Sequence, residues 1–224
     1  MKTKYCLPII KNTKQQVLQT LKYKGYNLYE VWLDYIKDLD EAFIKNLVNK
    51  FKHKLIIVFR RKNLEEMRLS FDERVRIISL LETSCSFLDL DITTQKNELD
   101  LIQKKRLKIS TIVSYHNYQE TPDGGKLKEI IDTMKTYEPS IYKITTKCNS
   151  PKDALRLLEL LLAIKEKNIK CIVLGMGKLG IITRIFGSLW GNEMTFAPKK
   201  RKESSAPGQL TREQLETVFS VLEK

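Results

Sequence analysis

Lys143 is the only charged residue between Ser140 and Thr145, a short run with the apolar and β-branched character of a strand. His116, one of two histidines in the chain, ends a second such run that begins at Ile109. An amine that sheds its proton can attack a ketone to form an imine, which then serves as an electron sink. An imidazole alongside can remove the proton that the sink acidifies and return it in a later step. Lys143 and His116 are thus a candidate nucleophile and a candidate base on neighbouring strands. Each also has a plainer structural role open to it. The lysine could snorkel from a strand end or form a buried ion pair with Asp89 or Asp91, and the histidine could be a satisfied core residue. On the functional reading, Arg60 or Arg184 would be the cationic neighbour that favours the neutral amine. His53, in the segment 51–54 between a helix and a strand, reads as surface.

Two later stretches carry binding chemistry. Gly175-Met-Gly-Lys-Leu-Gly180 precedes Arg184, so glycine amides could meet an anion and the guanidinium could grip a carboxylate. Tight packing of a loop would require the same glycines. Ser205-Ala-Pro-Gly-Gln209 lies in a polar loop after the last strand-like run, a common setting for a lid.

These residues need a frame, and the chain alternates short apolar strands with amphipathic helices throughout. Strands are expected at 5–10, 27–33, 55–60, 87–92, 109–116, 141–145, 170–174 and 193–197. Helices are expected at 13–24, 40–52, 71–84, 95–105, 125–137, 151–167, 178–188 and 211–223. Pro151 after Ser150 and the capping box from Thr211 to Gln214 mark two of the starts. Eight such units fit a single (β/α)8 TIM barrel spanning residues 1–224, with the active site at the C-terminal ends of the strands. An open doubly wound sheet is the alternative, although no Gly-x-Gly-x-x-Gly follows the first strand. Alternation supports the barrel: Leu28, Glu30 and Trp32 share one strand face, as do Asp89 and Asp91, Ser114 and His116, and Lys143 and Thr145. A polar interior behind an apolar, helix-covered wall gives that pattern.

Composition narrows the function classes. The net charge of +13 suits an anionic small molecule. The cations are spread over most helices, and only residues 199–202 form a basic run, so nucleic-acid binding is not expected. No run approaches the ~18–20 apolar residues of a membrane span, and the N-terminal apolar segment is too short for a signal peptide. Cys6, Cys85, Cys148 and Cys171 are scattered, as in reduced thiols of a cytoplasmic protein, and with two isolated histidines they form no metal-ligand cluster.

At this level of detail the chain resembles the type I 3-dehydroquinate dehydratases of the shikimate pathway, from about Glu30 to Gln209. Ser114 through Pro122 is similar to the family's histidine motif, and Tyr142-Lys-Ile-Thr145 to its lysine strand. Gly175-Met-Gly177 through Arg184, then Phe186-Gly187, resembles its Met-Gly segment. Thr195-Phe196 and Ser205 to Gln209 resemble its closing motifs. The resemblance implies a (β/α)8 homodimer working without metal or organic cofactor. It implies that Lys143 forms an imine with the C3 ketone of 3-dehydroquinate, while His116 acts as general base and then general acid. Arg184, Ser205 and Gln209 would hold the carboxylate and hydroxyls beneath a lid of about residues 198–210. Glu30 and Arg60 would contact ring hydroxyls, and Met176 and Phe196 would line the pocket. The sequence departs from the family pattern at two places. Trp32 stands where an arginine is usual. Leu64 stands where a histidine-orienting glutamate is usual, with Glu65 and Glu66 just beyond, so a one-residue loop shift would let Glu65 serve. Two other functions stay open: a related imine-forming lyase acting on another keto acid, and a catalytically degenerate barrel used for binding or scaffolding.

Overall fold

Where β-branched and aromatic residues alternate with others at period two the chain extends, and where apolar residues recur at three and four it coils. The computed structural model describes residues 3–61, 68–82, 84 and 86–222. The strands are β1 (Tyr5–Ile9), β2 (Leu28–Trp32), β3 (Leu55–Val58), β4 (Phe87–Asp91), β5 (Ser110–Asn117), β6 (Ile141–Lys147), β7 (Cys171–Met176) and β8 (Thr195–Phe196). The helices are α1 (Lys14–Thr20), α2 (Glu41–Lys50), α3 (Phe71–Leu81), α4 (Lys96–Lys105), α5 (Gly124–Lys135), α6 (Pro151–Glu166), α7 (Ile181–Trp190) and α8 (Arg212–Leu222).

Caps in the sequence set several helix starts. Ser150 accepts from the Asp153 amide, and the Asp153 side chain accepts from the Ser150 amide, with Pro151 in the first turn. Thr211 and Gln214 form the same reciprocal pair ahead of α8. The differences from expectation are local. Helix α1 stops at Thr20, ahead of a turn through Gly25 at φ +88°. Helix α7 starts at Ile181 instead of 178 because residues 177–180 form a turn, with the Gly180 amide donating to the Gly177 carbonyl. Strand β3 ends at Val58, two residues early, which matters for the arginines beyond it.

All strand pairs are parallel, in the order β7-β6-β5-β4-β3-β2-β1-β8. The circle is nearly closed: the Glu193 amide, just ahead of β8, donates to the Cys171 carbonyl of β7 at 2.9 Å. This is the expected (β/α)8 barrel. Two apolar cores follow from the alternation. Val31, Leu33, Ile57, Leu88, Leu90 and Val113 face outward against the helices. Leu28, Trp32, Ile56, Val58, Ile112, Ile172 and Phe196 fill the barrel itself. Each such aliphatic side chain, fully buried, contributes roughly 1.5–3 kcal/mol, and the inner set forms the floor beneath the polar strand ends.

The thiols of Cys6, Cys148 and Cys171 are free and buried, while Cys85 lies outside the described residues. His53 is exposed, and so are Lys199 to Lys202. Among the described residues no helix is long and apolar enough to cross a membrane.

Candidate active site

Register brings the chemistry to one level of the barrel. Asp91 of β4 pairs with Ser114 of β5, Ser114 with Lys143 of β6, and His116 with Thr145. Residues two apart share a face, so Asp89, Asp91, His116 and Lys143 all point inward. Lys143 is 4% exposed. Its Nζ lies 2.6 Å from Oδ2 of Asp89, 3.5 Å from Oε1 of Glu30 and 4.5 Å from the centroid of the Phe196 ring. The groups at hydrogen-bonding distance are carboxylates, one of them the Asp89 of the ion-pair reading, and not the arginines of the functional one. Burial pushes the Asp89 carboxyl up, but the Lys143 ammonium and the Arg61 guanidinium outweigh burial and hold it below the usual carboxylate range.

His116 is buried, with its Nδ1 2.9 Å from Oδ2 of Asp91. The Tyr118 ring stacks nearby at 6.5 Å. Burial is the main force lowering the imidazole pKa from 6.5 to about 4; Arg61 adds to it and the Asp91 contact opposes it. Asp91 goes the other way. Burial raises its pKa, yet the His116 and Thr93 hydrogen bonds prevail and leave it well below the carboxylate range. At neutral pH the pair is therefore a neutral imidazole on an ionised carboxylate. Asp91 is the partner that the sequence reading did not assign to His116, and only the strand pairing could have revealed it. Leu64, Glu65 and Glu66 lie outside the described residues.

The family resemblance put Arg60 at the ring hydroxyls, but the strand stops at Val58, and in the structure it is Arg61 that lines the cavity, 1% exposed. The Arg60 amide donates to Asp34 at 2.9 Å, and its guanidinium lies 3.7 Å from the centroid of the Tyr35 ring. Arg61 sits 4.9 Å from the centroid of the Trp32 ring. The Trp32 indole N–H donates to Oε2 of Glu30 at 2.9 Å. Both oxygens of Glu30 are thus engaged, one by Trp32 and one by Lys143.

Across the cavity, Arg184 of α7 is 1% exposed. Among the described residues its Nε and Nη1 meet no protein acceptor. Burial lowers its pKa from 12.5 to about 10, so it stays charged at neutral pH. An unpaired buried guanidinium is costly, and an anion relieves the cost. The glycines before it serve packing and are not an anion cradle. A Cβ on Gly180 would come within 2.4 Å of the Gly175 carbonyl carbon. The Gly175, Gly177 and Gly180 amides donate to Thr183 Oγ1, the Pro207 carbonyl and the Gly177 carbonyl.

The loop from 198 to 211 closes over the strand ends. Gly208, at φ +82°, rests on Gly177 so closely that a Cβ would lie 2.5 Å from the Gly177 oxygen. The Ser205 amide donates to Gln209 Oε1 and Gln209 Nε2 to Ser205 Oγ, both at 2.9 Å. Glu30, Trp32, Arg61, His116, Lys143, Met176, Arg184, Phe196, Ser205 and Gln209 then line a cavity of about 30 Å³. Arg60, singled out by sequence, is not among the residues lining it. Room for one or two waters is far below the ~300 Å³ or more of a ligand pocket. Among the described residues no cluster of three or more His, Cys, Asp or Glu is arranged to hold a metal ion. The arrangement offers an amine, a neutral imidazole and a buried cation around one small cavity.

A family model described as type I 3-dehydroquinase matches residues 5–224. A 3-dehydroquinate dehydratase of Pyrococcus abyssi is 30% identical over 216 residues, 96% of each chain. One from Methanococcus vannielii is 31% identical over 228 residues, covering 97% of this chain and 99% of its own. A crystal structure of the 3-dehydroquinate dehydratase from Geobacillus kaustophilus superposes with a TM-score of 0.84 at 24% identity, covering 100% of this chain and 92% of that one. The type I enzyme from Clostridium difficile, bearing covalently modified comenic acid, gives 0.82 at 22% identity, with 99% and 92% covered. At these identities the two structures speak for the fold alone.

Proposed function

The chain belongs to the type I 3-dehydroquinase family and is a hydro-lyase of the 3-dehydroquinate dehydratase class; on that premise we propose that it turns 3-dehydroquinate into 3-dehydroshikimate through an imine at Lys143. The observation that supports this reading is the convergence of Lys143, His116 and the unpaired Arg184 on one small cavity. Lys143 Nζ attacks the C3 ketone once its proton has passed to a neighbour, and Asp89 at 2.6 Å is the nearest acceptor. Loss of water gives the protonated imine. Nε2 of His116 takes a C2 proton, and the electron pair flows into the imine to form an enamine. The enamine expels the C1 hydroxyl as it accepts the proton that His116 returns, and hydrolysis frees the product and the amine.

Arg184, with Ser205 and Gln209, is suited to the substrate carboxylate, and Arg61 with Glu30 to ring hydroxyls. Counted from Arg61, the fourth residue on is Glu65, the spacing that the family pattern asks of its glutamate. Residues 198–210 act as the lid, Met176 and Phe196 as apolar walls.

The working form is a cytoplasmic homodimer. Support for the dimer comes from an apolar strip on adjacent helices, where Leu155 and Leu162 of α6 and Ile182 and Trp190 of α7 are 39–56% exposed.

Borohydride in the presence of 3-dehydroquinate should fix a single adduct, visible in the intact mass and mapped to Lys143. The same protein without borohydride should generate enone absorbance in the ultraviolet. No adduct at Lys143 sinks the imine mechanism.

A further inference from the structure

We propose that Asp91 is the positioning residue for the base: its carboxylate fixes His116 in the Nδ1–H tautomer and leaves Nε2 unprotonated for the substrate. The inference rests on the reading of His116 as the base and adds the group that sets its working state. Asp91 is fully buried and gathers donors on both oxygens. Oδ1 accepts from the Thr93 amide at 2.9 Å, the Thr94 amide at 3.1 Å and both threonine hydroxyls. Oδ2 accepts from the His116 amide at 3.0 Å and from its ring Nδ1 at 2.9 Å. An ionised carboxylate only accepts. Nδ1 must therefore carry the proton, and a neutral imidazole then has its lone pair on Nε2.

The two ends of this contact are held by different strands. Oδ1 is fastened to the turn that follows β4, while Oδ2 reaches the end of β5. The Asp91 amide is held in turn by Gln95 Oε1 at 2.9 Å. The carboxylate cannot rotate away without stranding the buried His116 amide and the partly buried amides of Thr93 and Thr94, so the ring is held in azimuth as well as in tautomer. A loop-closing aspartate would explain Oδ1 alone; the Nδ1 contact is what adds a role in the reaction.

The test begins with the unmodified protein. Nitrogen-15 NMR of histidine-labelled chain, with His53→Gln to assign the second ring, should show His116 protonated at Nδ1 and bare at Nε2 at neutral pH. In Asp91→Asn, an amide NH₂ turned toward the ring forces the proton onto Nε2. kcat should then fall by about 10²–10⁴-fold with KM within a few-fold, while the Lys143 adduct still forms under borohydride. An Nε2–H tautomer in the unmodified protein overturns the assignment. So does a folded Asp91→Asn protein with unchanged kcat, or a Glu65→Gln change that flips the tautomer where Asp91→Asn does not. If the unmodified chain traps no adduct, the imine reading fails while the tautomer result stands on its own.

Discussion

Nζ of Lys143 lies 2.6 Å from Oδ2 of Asp89, with the two side chains 5% and 0% exposed. The contact ties stability to reactivity, since the ammonium needs the carboxylate as counter-ion and the nucleophile needs it as proton acceptor. Asp89→Asn should leave Lys143 with Glu30 alone, at 3.5 Å. Breaking a buried pair from one side costs about 3–5 kcal/mol, so the urea midpoint should drop. The rate of borohydride-trapped adduct formation should drop with it. Trapping at the original rate in a folded variant would remove Asp89 from the mechanism.

Arg184 predicts opposite effects on folding and binding. Its buried guanidinium has two nitrogens without protein acceptors among the described residues. Arg184→Met keeps an unbranched apolar stem and removes the charge, so the free protein should gain roughly 1–4 kcal/mol in urea unfolding. The same change should cut kcat/KM by on the order of 10²-fold or more, because a carboxylate would lose its charged partner. A variant that is destabilised and still binds would show that Arg184 is structural.

His116 makes stability depend on pH. Arg61, Lys143, Asp91 and Tyr118 face it from four segments. Unfolded, the ring takes up a proton near pH 6.5; folded, only near 4. Between those values the unfolded chain binds more protons, so stability falls as pH drops through this window, by about 3 kcal/mol in all. The low pKa of Asp91 adds a further loss only below about pH 3.9. Urea midpoints at pH 7.5 and 4.5 should differ in the unmodified chain, and the gap should narrow in His116→Gln. Activity should hold to well below pH 6, since the base is already neutral there.

Much of the site was legible from residue types and period. Asp89, Asp91, His116 and Lys143 share the inward face because strand side chains alternate, a local rule that needs no tertiary contact. The eight strand–helix repeats and the helix caps are local in the same sense, which is why element boundaries mostly fall within a few residues. Beyond β3 that rule gives no guide. Alternation holds only while the strand lasts, and β3 releases the chain after Val58, so that Arg61, three residues on, lines the cavity.

By itself the sequence determined the barrel, the amine, the imidazole and the arginine of α7, because periodicity and side-chain chemistry are written residue by residue. Partnership was decided by the tertiary structure alone. Which aspartate meets the lysine and which the histidine depends on the register of β4 against β5 and β6. That register arises only when the strands of the barrel bring segments distant in sequence to hydrogen-bonding distance.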